Sequence, residues 1–412
     1  MSRSPARLAL LRRASLWSLT NSFVKIFSLR AATWLGATVV AAGLLGAAGC
    51  SSSSTTTPSA GATSSAPSKT LSVKQIAFGE TLKHTFKPNG TGAATSGRLT
   101  QPDDIVALGG HIYVGFQNAV GSQGEVAPSG NLDSTLVEFT PTGSVVKQWD
   151  MTGKIDGMGA DSATGRVFAS VNEDSKSSLY VVSGGTVTHY TYTQSPLPHK
   201  GGTDAISVYK GKILISASAP GTSGKAPANA PAVYVVTLNS GAKTAAVAPF
   251  FAINATAASV NAGGSKVTLA LTDPDSNMVM PSSAPKFAGD FMLNSQGDQE
   301  LIFSGATGQN LQVLKITKPV DDTAVATSAS GSLYITDSSA DTVDVMTGPF
   351  TPGTAYTAVT PCNATNAPAV CPATSAPQFP ANSFGMIDMS TGAVSNVTFS
   401  GTLTPKGMVF VP

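Results

Sequence analysis

Four stretches of this chain repeat one pattern, and a repeat of this period constrains the fold more than any composition does. They are "PDDIVALGGHIYVGF" from Pro102, "IDGMGADSATGRVFASV" from Ile155, "TDAISVYKGKILISAS" from Thr203 and "DDTAVATSASGSLYITD" from Asp321. Each carries one or two acids near its start, then a short apolar segment, a glycine-bearing turn and a second apolar segment. "SNMVMPSSAPKFAGDFMLN" from Ser276 is a looser copy with a longer turn, and "TPKGMVFVP" from Thr404 is a copy that stops after its first strand.

Runs of Val, Ile, Tyr, Phe and Leu set between Gly, Asn, Asp and Ser have the texture of short β-strands and turns. No segment after Leu71 carries a 3.6-residue apolar period of helical length. A second strand pair follows each copy, as in "STLVEFTPTGSVVKQWD" and "SSLYVVSGGTVTHYTY". The unit is four strands in ~40–50 residues, the size of a propeller blade. A lone blade leaves both faces bare, whereas blades stacked around an axis bury them and hide most strand edges. The expected fold is therefore all-β: a β-propeller of six blades, or of seven if residues 341–400, which hold two outer-type strand pairs, supply one more. "TPKGMVFVP" lacks outer strands and "LSVKQIAFGETLKHTF" from Leu71 lacks an inner pair, so the two are expected to share a blade and close the ring.

In such a ring the first strand of each unit lines the central channel, and the acids that open the units gather at one mouth. These are Asp103, Asp104, Asp156, Asp204, Asp275, Asp321 and Asp322, with Lys406 in the acid's place in the sixth unit. Converging carboxylates repel one another unless a cation lies among them. In one reading, Asp104, Asp156, Asp204, Asp275 and Asp322 offer oxygen ligands to calcium or another divalent cation. In the other, each Asp accepts hydrogen bonds from its own turn, as Asp does in loops generally. Lys406, and His199 in the loop "SPLPHKGGTD", are further candidates for the channel mouth.

These repeats resemble the propellers of the NHL-repeat proteins and the regucalcin-like lactonases, over most of residues 71–412. The resemblance implies one possible activity, a metal-dependent lactonase-like hydrolase with its site at the channel mouth. In that family a Glu, an Asn and an Asp hold a divalent metal, the Asp in an Asp-Gly pair on an inner strand. Asp156-Gly157 matches that part, Glu80 in "FGET" lacks the family's context, and Asn277 in "DSN" is the nearest counterpart of the Asn. With one match in three, the favoured function is a binding or scaffold module that recognises a protein, a glycan or a small molecule. "DPDSN" opens like an EF-hand loop at Asp273, Asp275 and Asn277, but Met278 stands where glycine is required and Ala284 where a bidentate Glu is required. His84, His111, His189 and His199 have no metal-ligand spacing, and no nucleophile elbow, P-loop or dinucleotide fingerprint has a strand–turn–helix setting.

The first 49 residues carry Arg3, Arg7, Arg12, Arg13, Lys25 and Arg30 and no acid, and end in an apolar run from Ala31 to Ala48. That is the layout of a secretory signal. Ala47-Ala48-Gly49 before Cys50, and the Ser/Thr-rich stretch after it, resemble the lipobox of bacterial lipoproteins, although Ala47 stands where that family usually has Leu. The resemblance implies lipid on Cys50 and an extracytoplasmic protein anchored to a bacterial membrane; an unlipidated secreted or anchored chain is the alternative. The expected organisation is a signal peptide over 1–49, the lipidated Cys with a disordered tether over 50–69, and a propeller over 70–412. Cys362 and Cys371 flank "NATNAPAV", and an oxidising compartment suits a disulfide between them, two free thiols being the alternative. Six of the 25 basic residues precede position 50 and none of the 23 acidic ones do, so the remainder holds 19 basic and 23 acidic residues, a net charge of −4. Without a basic patch, nucleic acid is not an expected partner.

Overall fold

The computed structural model describes residues 70–360 and 382–412. The expected signal and tether, with Cys50, Cys362 and Cys371, lie outside the described residues. Six strands stand around a common axis in chain order: Pro102–Leu108, Ile155–Asp161, Ile206–Tyr209, Pro274–Val279, Val320–Val325 and Met408–Val411. Each packs on the next, and the last on the first. Each is also the innermost strand of one antiparallel blade, so the described residues form a ring of six blades. Blades two and three are further joined at their outer strands, where Thr186–Tyr192 pairs in parallel with Thr244–Ala252.

Blade two shows how the sequence builds a blade. In Arg166–Val171 the side chains of Val167, Ala169 and Val171 face blade one and pack with Leu136 and Met151. Phe168, between them, faces blade three and packs with Ile206 and Tyr234. Side chains of a strand alternate between its two faces, and here both faces are covered. That is why these strands are apolar almost throughout. Six apolar clusters result, one at each blade-to-blade interface, including the interface of blade six with blade one. Some neighbouring strands are joined by hairpins of two turn residues, as at Gly109-Gly110, where φ is +61° and +81°. Two positive φ values in succession match the twist of the flanking strands and favour glycine.

Blades five and six depart from the expected order. "DDTAVATSASGSLYITD" does not form one hairpin. Val320–Val325 pairs with Ala355–Val359 in blade five, whereas Ser332–Asp337 lies in blade six, between Met408–Val411 and Thr342–Thr347. The chain leaves blade five after one strand, lays two strands in blade six and returns to blade five for Ala355–Val359, Ser383–Ile387 and Val394–Asn396. It then crosses again to finish blade six. The connecting segment 326–331 is long enough to step to the next blade. Leu71–Phe78 pairs with Thr342–Thr347, so the first and last strands do share a blade, with two strands between them. Lys83–Phe86 is not an outer strand of that blade; it forms a separate two-stranded sheet with Thr95–Arg98.

Candidate functional site

The inner strands begin irregularly. Pairing with the second strand skips Asp103-Asp104 in blade one, Asp156-Gly157 in blade two, Asp275-Ser276 in blade four and Asp321-Asp322 in blade five. Asp204-Ala205 and Lys406-Gly407 take the same place in blades three and six. Such bulges re-aim side chains. Here the first residue of each pair lines an axial cavity of about 400 Å³, and the second meets the neighbouring inner strand. Asp104 accepts a hydrogen bond from the Met158 amide, and Asp322 accepts one from the Met408 amide at 2.7 Å. Ser276 donates to the Asp321 carbonyl at 2.5 Å. Where the second residue is glycine the backbones themselves close in: a Cβ on Gly157 would lie 2.1 Å from the Asp204 carbonyl carbon, and one on Gly407 2.4 Å from the Asp103 carbonyl oxygen.

The metal candidates therefore divide into two sets. Asp156, Asp204 and Asp275 belong to a ring completed by Asp103, Asp321 and Lys406. Asp104 and Asp322 sit one residue further along and join blade one to two and five to six. On one side the ring is internally compensated. The Lys406 ammonium lies 2.7 Å from Asp321 Oδ2 and 3.4 Å from Asp103 Oδ1. Gln117 donates to Asp103 and, at 3.1 Å, to Asp156. Lys154 stands 3.0 Å from Asp156 and 2.6 Å from Glu173. On the other side Asp204 and Asp275 face each other and share one hydrogen bond, which requires that one of them be protonated.

Burial raises the carboxyls of this site. It lifts Asp204 to about 7 against the opposing effect of the bond with Asp275, and Asp322 to about 7 against its two amide donors. Asp275 stands well above its ordinary value through burial and then through the charges of Asp204 and Asp321; Asp156 does so through burial and then Glu173. Burial disfavours the Lys406 ammonium, but Asp103, Asp321 and Asp275 outweigh it and hold that lysine charged, well above its usual range. Glu173 resists burial in the same way, because Lys154 keeps it ionised.

His199 is not at the channel mouth. It is fully buried between blades two and three, with Nε2 2.7 Å from the Gly202 carbonyl and 3.0 Å from that of Ser218. Two carbonyls at Nε2 demand a proton there, so Nδ1 accepts the Tyr234 hydroxyl at 2.7 Å. Every polar atom of the ring is satisfied by a neutral imidazole, and burial depresses its pKa to about 4. Lys406 does line the cavity. The lactonase counterparts are engaged elsewhere: Glu80 pairs with Arg98 on the exterior, and Asn277 donates to the Ala205 carbonyl at 2.6 Å and accepts from Ser207 at 2.6 Å. Among the described residues no group of three or more His, Cys, Asp or Glu side chains is arranged to hold a metal ion. Gln117, Lys154 and Glu173 carry part of the ring chemistry and stand outside the acids that open the repeats. For Gln117 and Glu173 the sequence does hold a signal. In an antiparallel blade the end of the second strand returns to the mouth where the first begins, and Gln117 and Glu173 follow Phe116 and Val171 there.

Fold and site together define a six-bladed β-propeller with a charged axial cavity. No protein-family model and no curated protein sequence matches the chain. Solved structures that resemble it include a streptogramin B lyase, at 9% identity over 81% of this chain and 74% of that one with a TM-score of 0.38. Another is the virginiamycin B lyase of Staphylococcus aureus, at 7% identity over 80% and 75% with a TM-score of 0.36. A nidogen/laminin complex matches at 9% identity over 84% and 98% with a TM-score of 0.41.

Proposed function

We propose that this protein is a binding module held outside a bacterial membrane by lipid on Cys50, with the central channel of its propeller as the ligand site. The observation that carries the reading is the axial cavity of about 400 Å³, within the size range of small-ligand pockets. It combines apolar walls with buried charged side chains at one end, the composition of a site that orients a ligand. A tether of Ser, Thr, Pro, Ala and Gly would let the propeller stand off from its anchor.

A thermal-shift screen of small molecules tests the channel. Ligands that stabilise the protein should lose their effect in Ala160→Trp, which fills the cavity from a half-buried wall position. Hits that survive the substitution would place the ligand elsewhere. The anchor is tested by labelling with a palmitate analogue: label should be lost, and the protein released from the membrane fraction, in Cys50→Ser.

The hydrolase reading has less support. Asp156, its one matched ligand, already faces the Lys154 ammonium, and Gly157 is explained by packing against Asp204. Metal content after mild purification, with melts in EDTA and in calcium, separates the two. A bound divalent ion lost in Asp156→Ala would restore the hydrolase.

A further inference from the structure

The compensated and uncompensated sides of the ring are unequal in a way that selects a ligand. Asp321, Asp103, Asp156 and Glu173 each have a lysine within 3.4 Å. Asp204 and Asp275 have none. Among the described residues no N–H or O–H group donates to either carboxyl; their only bond is the proton they share. Asp204 is 6% exposed and lines the cavity, and Asp275 Oδ2 is shielded from solvent without a donor of its own. Buried acceptors left in this state call for a donor from outside the protein.

The walls beside the pair decide what kind of donor fits. Met158, Ile206, Val208, Met278 and Val279 line the cavity on the inner strands of blades two, three and four. The nearby polar side chains, Ser207 and Asn277, are bonded to each other at 2.6 Å. A hard metal ion needs six to eight oxygen ligands, and the other carboxylates of the ring that could complete such a set, Asp103, Asp156 and Asp321, already face the ammonium of Lys406 or Lys154. An ammonium needs only three acceptors and brings its own hydrocarbon for the walls.

We propose that the channel binds a ligand bearing a protonated amino group on an apolar body, with the ammonium seated between Asp204 and Asp275. This rests on the channel being the ligand site. The test is calorimetric titration at neutral pH with hexylammonium, 1-hexanol and calcium, each alone, on the intact propeller. Hexylammonium is expected to bind at one site, with 1-hexanol and calcium giving no saturable heat at the same concentration. Asp204→Asn and Asp275→Asn should each weaken hexylammonium by about tenfold or more, since an ammonium seated between the carboxyls displaces their shared proton and each substitution removes one of the two carboxylates it would then meet. Both remove a carboxyl that burial disfavours, so a melting temperature equal to or above the parent's confirms that they fold. Asp161→Asn, at the end of the blade-two inner strand away from the ring, where the carboxylate pairs with Arg166, should leave the affinity unchanged. Equal binding of 1-hexanol, saturable calcium binding at the pair, or no hexylammonium heat would overturn the proposal. Hexylammonium binding that survives both Asn variants but disappears in Ala160→Trp would overturn the carboxyl pair and leave the channel reading standing. Failure of the channel itself would show instead as screen hits indifferent to Ala160→Trp.

Discussion

At the scale of residues, the six inner-strand dipeptides do two jobs at adjacent positions. The first residue faces the axis and sets the charge of the channel. The second fastens one blade to the next through a carboxylate, a hydroxyl, the absence of a side chain or, at Ala205, a backbone carbonyl that accepts from Asn277. Asp156-Gly157 looks like a metal-site motif only when the two jobs are read as one. The glycine is the more constrained partner. Gly157→Ala should destabilise the fold by about 3 kcal/mol or more, because the new methyl group overlaps backbone that cannot yield. Gly305→Ala, where a Cβ would meet nothing within 4 Å, should change it by less than ~0.5 kcal/mol in the same urea melts. Equal effects would mean that the blades can separate at Gly157 without cost. Lys406→Met should cost about 2 kcal/mol, below the usual loss for breaking a buried pair because the lysine is one-third exposed. Adding Asp321→Asn to that variant should recover part of the loss. A double variant less stable than the single one would sink the compensating role of Lys406.

At the scale of elements, ring closure depends on strands far apart in sequence. Met408–Val411 is the inner strand of blade six, and Met408 and Phe410 pack between blades five and six. Removing residues 406–412 opens two blade interfaces at the axis and also removes the lysine that offsets Asp103 and Asp321. We expect that truncation to abolish cooperative thermal unfolding and to expose apolar surface to a dye such as ANS. Removing residues 70–78 takes an outer strand and should lower the melting temperature while keeping one transition. The reverse order of severity would show that the outer strand, not the inner one, holds the ring. The blade pattern itself was readable because both faces of each strand are buried, which writes apolar runs and glycine turns at a regular spacing. The exchange between blades five and six was not readable. Val320–Val325 and Ser332–Asp337 have the same apolar pattern as a true hairpin, and only the three-dimensional position of Ala355–Val359 decides which strand Val320–Val325 meets. The acidic ring follows from the repeat itself, whereas Lys154 lies just before the repeated motif with no counterpart in the other units, and Glu173 is placed at the mouth only once the second strand is known to return there.

At the scale of the whole molecule, the buried carboxyls tie stability to pH in an unusual direction. Asp204 and Asp322 titrate at about 7 and Asp273 at about 6 in the fold, against 3.8 when exposed. Asp104, Asp156, Asp275 and Asp321 are raised as well, in each case first by burial. The folded protein therefore holds protons that the unfolded chain releases between pH 4 and 7. Groups of this kind contribute stability that is complete below the unfolded value and is lost as pH rises through the folded one. His199 works the other way. Its folded value of about 4 lies below the unfolded 6.5, so its contribution is complete above 6.5 and is lost as pH falls toward 4. Several carboxyls oppose one histidine, so acidification from pH 8 to pH 5 should raise the melting temperature, by about 5 °C or more. Below pH 5 the histidine and the ordinary surface carboxylates should reverse the trend. Asp322→Asn should flatten the rise, since it removes one titrating group while leaving an acceptor for the Met408 amide. Melts at fixed ionic strength across pH 5–8 test this directly, and a melting temperature that climbs with pH would mean that the ring carboxyls are ionised and compensated by something other than protons.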